Sequence, residues 1–137
     1  MGNFDGKKQL ALVMWIIWLA YLQGTFVLQI LLGGGLPEGS NAEQPMAVWL
    51  WAMCFGPILL ATAIRWLVIP KIKEQPKQLV AMIVGLALAE APVFFQLFLM
   101  GNDYPQNQIA VLMVALVAII QFAPSYATPG YAVGGER

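Results

Sequence analysis

The stretch LVAMIVGLALAEAPVFFQLFLM, residues 79–100, decides the fold class, because its polar side chains are only Glu90 and Gln96. A helix rises about 1.5 Å per residue, so about 20 apolar residues cross a hydrocarbon core that is about 30 Å thick. The stretch therefore predicts a membrane-spanning helix. Glu90 lies about 16 Å from the start of that helix by the same rise, which places it near the bilayer midplane.

The composition of the whole chain agrees with a lipid environment. The 137 residues are 60% hydrophobic and 10% charged, with a mean hydropathy of +0.72. A soluble domain of this length needs many more charged residues to cover its surface. The formal net charge is zero, so no broadly basic surface points to nucleic acid as a partner. The expected partner is the lipid bilayer.

Four apolar runs are long enough, or nearly long enough, to span the membrane. They cover residues 10–32, 46–69, 79–100 and 108–124, and turn-rich polar segments separate them. The sequence therefore predicts an all-α integral membrane protein with one four-helix transmembrane domain over residues 1–124. Residues 125–137 contain Pro129 and three glycines, and we expect them to form a flexible cytoplasmic tail.

The charged residues predict the orientation of the spans. With the N-terminus inside, every positive residue falls in an inner segment or near the inner end of a span: Lys7, Lys8, Arg65, Lys71, Lys73, Lys77 and Arg137. The two outer loops carry only Glu38, Glu43 and Asp103. By the positive-inside rule this bias predicts four spans with both termini cytoplasmic. The expected location is the bacterial cytoplasmic membrane.

The chain lacks the residues that most catalytic and metal sites need. It has no histidine, and its single cysteine, Cys54, lies in an apolar run. Neither an intrachain disulfide nor a Cys/His metal site can be built from this set. The loops also lack paired carboxylates suited to catalysis. We therefore expect no enzyme activity, no cofactor and no metal site.

Glu90 is the candidate functional residue, because acidic side chains inside the membrane are costly and mark functional sites by default. Pro92 follows two residues later and has no N–H, so the carbonyl of Leu88 loses its helical donor. That carbonyl and the Glu90 carboxylate together suit a proton, a water or a small cation. The alternative is a simple helix kink at Pro92 whose freed carbonyl is satisfied by a neighbouring side chain or water.

Other polar residues in the spans supply candidate partners for Glu90. Arg65 lies near the inner end of the second span, where it can either form an ion pair with Glu90 or extend to the lipid headgroups. Gln23 and Gln121 are candidates to line a polar path to Glu90, although such glutamines also act as ordinary links between helices. Small residues repeat every four positions on the same helix as Glu90, which predicts a close helix-packing face: Ala81, Gly85 and Ala89.

The segment GLALAEAPVFF, residues 85–95, resembles the carboxylate helix of the proton-translocating rotor (c) subunit of rotary ATP synthases. In that family a lone acid lies in an Ala/Gly/Leu-rich helix, after a cytoplasmic loop with a basic-Gln-Pro motif. The segment from Lys73 to Pro76, KEQP, is similar to that motif. The resemblance covers about residues 76–100, and the rest of the chain matches no family. It implies that Glu90 carries a proton or a cation.

Two functional hypotheses follow from these features. In the first, the protein binds or translocates protons or small cations at Glu90, as a homo-oligomer or within a larger membrane complex. In the second, it is a structural or accessory subunit of a membrane complex, and Glu90 forms a buried ion pair. Arg65 or a basic residue of another chain would then be its partner.

Overall fold

The structure is a computed structural model that describes residues 2–100 and 103–128, and these residues are helical without any strand. The four long helices are α1 (Gly2–Gly33), α2 (Val48–Ala63), α3 (Gln75–Phe98) and α4 (Pro105–Ile120). Shorter helical turns extend two of them: Ile64–Val68 and Ile69–Lys71 after α2, and Pro124–Ala127 after α4. The predicted all-α fold class is confirmed.

Among the described residues, four helical segments are long and apolar enough to cross a membrane, as the sequence predicted. They are Gly6–Gly33, Val48–Lys71, Gln75–Phe98 and Pro105–Ala127. The fourth was expected to close at Pro124, but this proline occupies the first turn of a new 3-10 helix instead. A proline fits that position because its missing N–H has no partner in the first turn of a helix.

The end of the second span is a widened π turn, Ile64–Val68, which the sequence analysis did not predict. In this turn the N–H of Ile69 donates to the carbonyl of Ile64, five residues earlier. Pro70 follows directly, has no N–H, and in a regular helix would place its ring against the carbonyl of Trp66. The proline accounts for the change in hydrogen-bond spacing, and π turns of this kind often occur at functional sites.

Helix α3 lies at the centre of the bundle and packs against α1, α2 and α4. The predicted small-residue face is used within the chain: Gly85 and Ala89 are buried and Ala81 packs at the edge of the same core. Phe122, which is fully buried just after α4, fills the space at Gly85. A Cβ atom added at Gly85 would overlap the Phe122 ring. Gly85 therefore allows the end of α4 to reach the surface of α3.

One amide side chain connects three helix ends. Gln75, the first residue of α3, is buried, and its Nε2 donates to the carbonyls of Lys7 and Ala127 at 2.8 Å each. This contact brings together the segments that carry five lysines, which we call the basic end: Lys7, Lys8, Lys71, Lys73 and Lys77.

The opposite end of the bundle, which we call the acidic end, carries Glu38, Glu43 and Asp103. Two contacts join its loops: the N–H of Ala42 donates to the carbonyl of Asp103 at 2.8 Å, and Asn41 Nδ2 donates to Asn107 Oδ1 at 3.0 Å. The described lysines and Arg65 thus lie at or near one end, whereas the described charged residues of the other end are all acidic. Which end faces the cytoplasm stays a prediction.

The start of the expected tail belongs to the bundle, which corrects the boundary placed after residue 124. Ala127 is buried, and Thr128 accepts a hydrogen bond from Trp15 Nε1 at 2.9 Å while its hydroxyl donates to the Pro124 carbonyl at 2.8 Å. The physical reason is local: the 3-10 turn folds these residues back onto α1. Residues 129–137, the remainder of the expected tail, lie outside the described residues.

Candidate functional site

Glu90 lies on α3 between the packed and the exposed sides of the helix. Its neighbours one turn away on one side, Leu86 and Val93, are fully buried. Its neighbours on the other side, Ala87 and Phe94, are exposed. Glu90 itself is half-buried and lies about 5 Å from the midpoint of α3 toward the acidic end, by helix rise. The carboxylate is therefore at the edge of the bundle, within the span.

No residue within 2–100 or 103–128 gives Glu90 a hydrogen bond or an ion pair. An ion pair elsewhere, at the start of the same helix, joins Lys77 Nζ to Glu74 Oε1 at 3.2 Å, and both side chains are largely exposed. The helix itself continues unbroken past Pro92, which is fully buried, so the predicted kink stays a prediction. Leu88 is half-buried at the edge of the core. Its carbonyl lacks a helical donor because residue 92 has no N–H.

Arg65 does not form an ion pair with Glu90. Its Nε donates to the carbonyl of Gln121 at 2.6 Å, and its guanidinium carbon lies 4.1 Å from the ring centre of Trp66 and 4.7 Å from that of Tyr126. Helix rise explains the separation: Arg65 is six residues from the end of its span, about 9 Å, whereas Glu90 is fifteen residues into α3, about 22 Å. The structure thus places Arg65 in a different cluster.

The two glutamines predicted to line a path to Glu90 lie in other surroundings. Gln121 belongs to the Arg65 cluster, since its side-chain oxygen accepts from Trp66 Nε1 at 2.9 Å and its Nε2 donates to Thr62 Oγ1 at 3.2 Å. Gln23 is exposed on α1 and has no hydrogen bond to a described residue. The structure therefore places neither glutamine in an interior path to Glu90.

A second polar cluster, at the acidic end, was missed by the sequence analysis. Gln96 is fully buried, and its Nε2 donates to Gln29 Oε1 at 2.7 Å, while Gln29 Nε2 donates to the Gly35 carbonyl at 2.8 Å. The Oε1 of Gln96 is buried with no hydrogen-bond partner among the described residues. Gln29, the glycines at 33–35 and Glu38 line an adjacent cavity of about 510 Å³.

Helix geometry explains why Gln29 and Gln96 meet whereas Gln23 and Glu90 do not. Gln23 lies six residues before Gln29 on α1, and Glu90 lies six residues before Gln96 on α3. The two helices run in the same direction. Gln23 and Glu90 therefore lie at a common depth, about 9 Å from the bonded pair. Six residues turn a helix through about 600°, so both side chains point roughly 120° away from the contact between α1 and α3. The depth of each polar residue along its helix was readable from the sequence, whereas the helix face on which its side chain lies relative to the neighbouring helix was not.

The chain matches no protein-family model, no curated protein and no solved structure. The site is therefore defined by its own geometry. Among the described residues, no group of three or more His, Cys, Asp or Glu side chains is placed to hold a metal ion. The chemical group that this arrangement offers is the Glu90 carboxylate, which lies within a candidate span and has no hydrogen bond or ion pair to a described residue.

Proposed function

We propose that this protein is a small polytopic membrane protein that binds and releases a proton or a small cation at Glu90. One observation carries the proposal: the carboxylate has no hydrogen bond or ion pair to any described residue. A charged side chain at the centre of a span costs about 3 kcal/mol or more. Glu90 is therefore stable in this position only when a proton, a cation or a partner neutralises it.

The position of Glu90 at the edge of the bundle supports exchange of a bound ion. A carboxylate sealed in the core would trap its proton, whereas Glu90 is half-buried and adjoins the exposed Ala87. The Leu88 carbonyl, which lacks a helical donor, is a second oxygen of the same helix for a cation or a water. The resemblance of residues 85–95 to the rotor-subunit helix points to the same role for Glu90.

The alternative proposal is a structural or accessory subunit in which Glu90 pairs with a basic residue of another chain. Its support is the face beside Glu90, where Ile83, Ala87 and Phe94 are all exposed. Acidic residues inside membranes usually pair with an opposite charge, and Arg65 is occupied elsewhere. A second copy of this chain or a larger membrane complex would bring the pairing residue to that face.

Labelling with a hydrophobic carbodiimide tests the first proposal, because the reagent reacts with protonated carboxyl groups within the membrane. The full chain in lipid vesicles is treated at low and at neutral pH, and the modified residue is identified by mass spectrometry. We expect Glu90 to be the labelled residue, with more labelling at low pH and less when a competing cation is added. Glu90→Gln removes the labelling, whereas the matched control Glu43→Gln, in the loop at the acidic end, leaves it unchanged.

The yield of the Glu90→Gln variant separates the two proposals. An ion carrier tolerates the neutral glutamine, so the variant assembles as well as the wild type. A subunit with a buried pair loses its partner, so the variant gives a low yield or a dissociated complex, and labelling of the wild type is weak at every pH. Normal assembly of the variant together with pH-independent labelling of the wild type would contradict both.

A further inference from the structure

Arg65 is held at the basic end of the bundle by three contacts, rather than extending freely. Its Nε donates to the Gln121 carbonyl at 2.6 Å, and the rings of Trp66 and Tyr126 lie 4.1 and 4.7 Å from the guanidinium carbon. Trp66 and Tyr126 are themselves fixed, because Trp66 Nε1 donates to Gln121 Oε1 and the Tyr126 hydroxyl donates to the Phe122 carbonyl. The guanidinium is thus preorganised.

Most of the donors of Arg65 are not used by the described residues. A guanidinium carries five N–H donors, and only the Nε donor has a described acceptor. No described carboxylate forms an ion pair with Arg65. The four N–H groups on the two terminal nitrogens therefore remain for an acceptor from outside the described chain. A planar pair of such groups matches the oxygens of a phosphate.

The location of Arg65 selects the kind of phosphate. Arg65 lies six residues from the end of its span, about 9 Å from the basic end by helix rise, and Gln121 lies beside it. Lys71 is exposed at that end and adds positive charge. Basic pockets between the ends of membrane-spanning helices are typical sites for anionic lipid headgroups. A phospholipid places its phosphate near this depth because its acyl chains lie in the bilayer. A free anion has no such anchor.

We propose that the Arg65 guanidinium, held between Trp66 and Tyr126, binds the phosphate of an anionic phospholipid at the basic end of the bundle. The terminal nitrogens of Arg65 donate to two phosphate oxygens, and the aromatic rings keep the guanidinium in position. The π turn at Ile64–Val68 carries both Arg65 and Trp66, which gives this irregular segment a role in binding. The proposal does not depend on Glu90.

Native mass spectrometry of the full chain in a neutral detergent tests the proposal. The protein is titrated with phosphatidylglycerol and, separately, with phosphatidylcholine that carries the same acyl chains. Loss of a charge-assisted hydrogen-bonded pair lowers affinity by about tenfold or more. We therefore expect the first phosphatidylglycerol to bind about tenfold more tightly than phosphatidylcholine, and Arg65→Gln to remove most of that preference. The control Lys73→Gln removes an exposed charge at the same end and changes the preference by no more than about twofold.

A second variant and a competitor complete the test. Arg65→Lys keeps the charge but loses the planar fork, so we expect an intermediate preference, and this variant serves if Arg65→Gln does not fold. Inorganic phosphate at millimolar concentration should not displace the lipid; displacement would overturn the proposal in favour of a free-anion site. Equal affinity of the wild type for the two lipids would also overturn it. Equal losses of the phosphatidylglycerol preference in Arg65→Gln and Lys73→Gln would overturn it as well, because they would indicate a general attraction of the basic end for anionic lipid.

Discussion

Gly85 on α3 lies directly against the ring of Phe122, in the segment after α4. The ring of Phe122 is fully buried and occupies the position that a side chain at residue 85 would take. Gly85→Ala therefore forces an additional methyl group into a filled core, and overpacking of this kind costs about 1–3 kcal/mol. We expect a lower free energy of unfolding and a lower Tm, measured by thermal or denaturant unfolding of the purified protein in detergent.

Gly24→Ala is the matched control for this substitution. Gly24 also lies within a span, but a Cβ atom there would meet no described atom within 4 Å apart from its chain neighbours and its own helix backbone. Alanine is favoured over glycine in a helix interior by up to about 1 kcal/mol, so this variant should be at least as stable as the wild type. Adding Phe122→Leu to Gly85→Ala should recover part of the lost stability. A Gly85→Ala variant that unfolds like the wild type would show that Phe122 does not fill this position.

At the scale of whole helices, the Gln75 side chain holds the start of α1, the start of α3 and the turn after α4 together. Gln75→Ala removes both of its hydrogen bonds, to the Lys7 and Ala127 carbonyls. At about 0.5–1.5 kcal/mol for each bond, the combined loss is about 1–3 kcal/mol. We expect faster amide hydrogen exchange in residues 6–10 and 124–128, measured by mass spectrometry, because these segments are the ones that the side chain connects.

The control for Gln75 is Gln106→Ala, at the first turn of α4, where the side chain is exposed. This variant should leave hydrogen exchange at the basic end unchanged. If exchange in Gln75→Ala increased equally over all four helices, the residue would contribute to global stability rather than connect these ends. Sequence patterns did not identify this role, because Gln75 lies at a helix start among charged residues and resembles an ordinary surface position.

For the whole molecule, length and apolar content were sufficient to predict the four candidate spans, because each described helix is long and apolar enough by its own composition. The small-residue face at Gly85 was also readable, since its four-residue spacing is a property of one helix. The residue that packs against Gly85 was not readable, because Phe122 lies in the segment that follows a different helix, α4. The Gln29–Gln96 contact likewise depends on how α1 and α3 are rotated relative to each other. The π turn depends on how Pro70 changes the spacing of the backbone hydrogen bonds that precede it.

The position of the described lysines at one end predicts the orientation of the whole bundle, and single-cysteine labelling checks it. Cys54, the one cysteine of the chain, is fully buried and is first replaced by serine. Glu43→Cys at the acidic end and Lys73→Cys at the basic end are then introduced separately and treated with a membrane-impermeant maleimide. Positive residues favour the cytoplasmic side, so we expect Cys at 43 to react in intact cells. Cys at 73 should react only after permeabilisation, and the reverse pattern would overturn the predicted orientation.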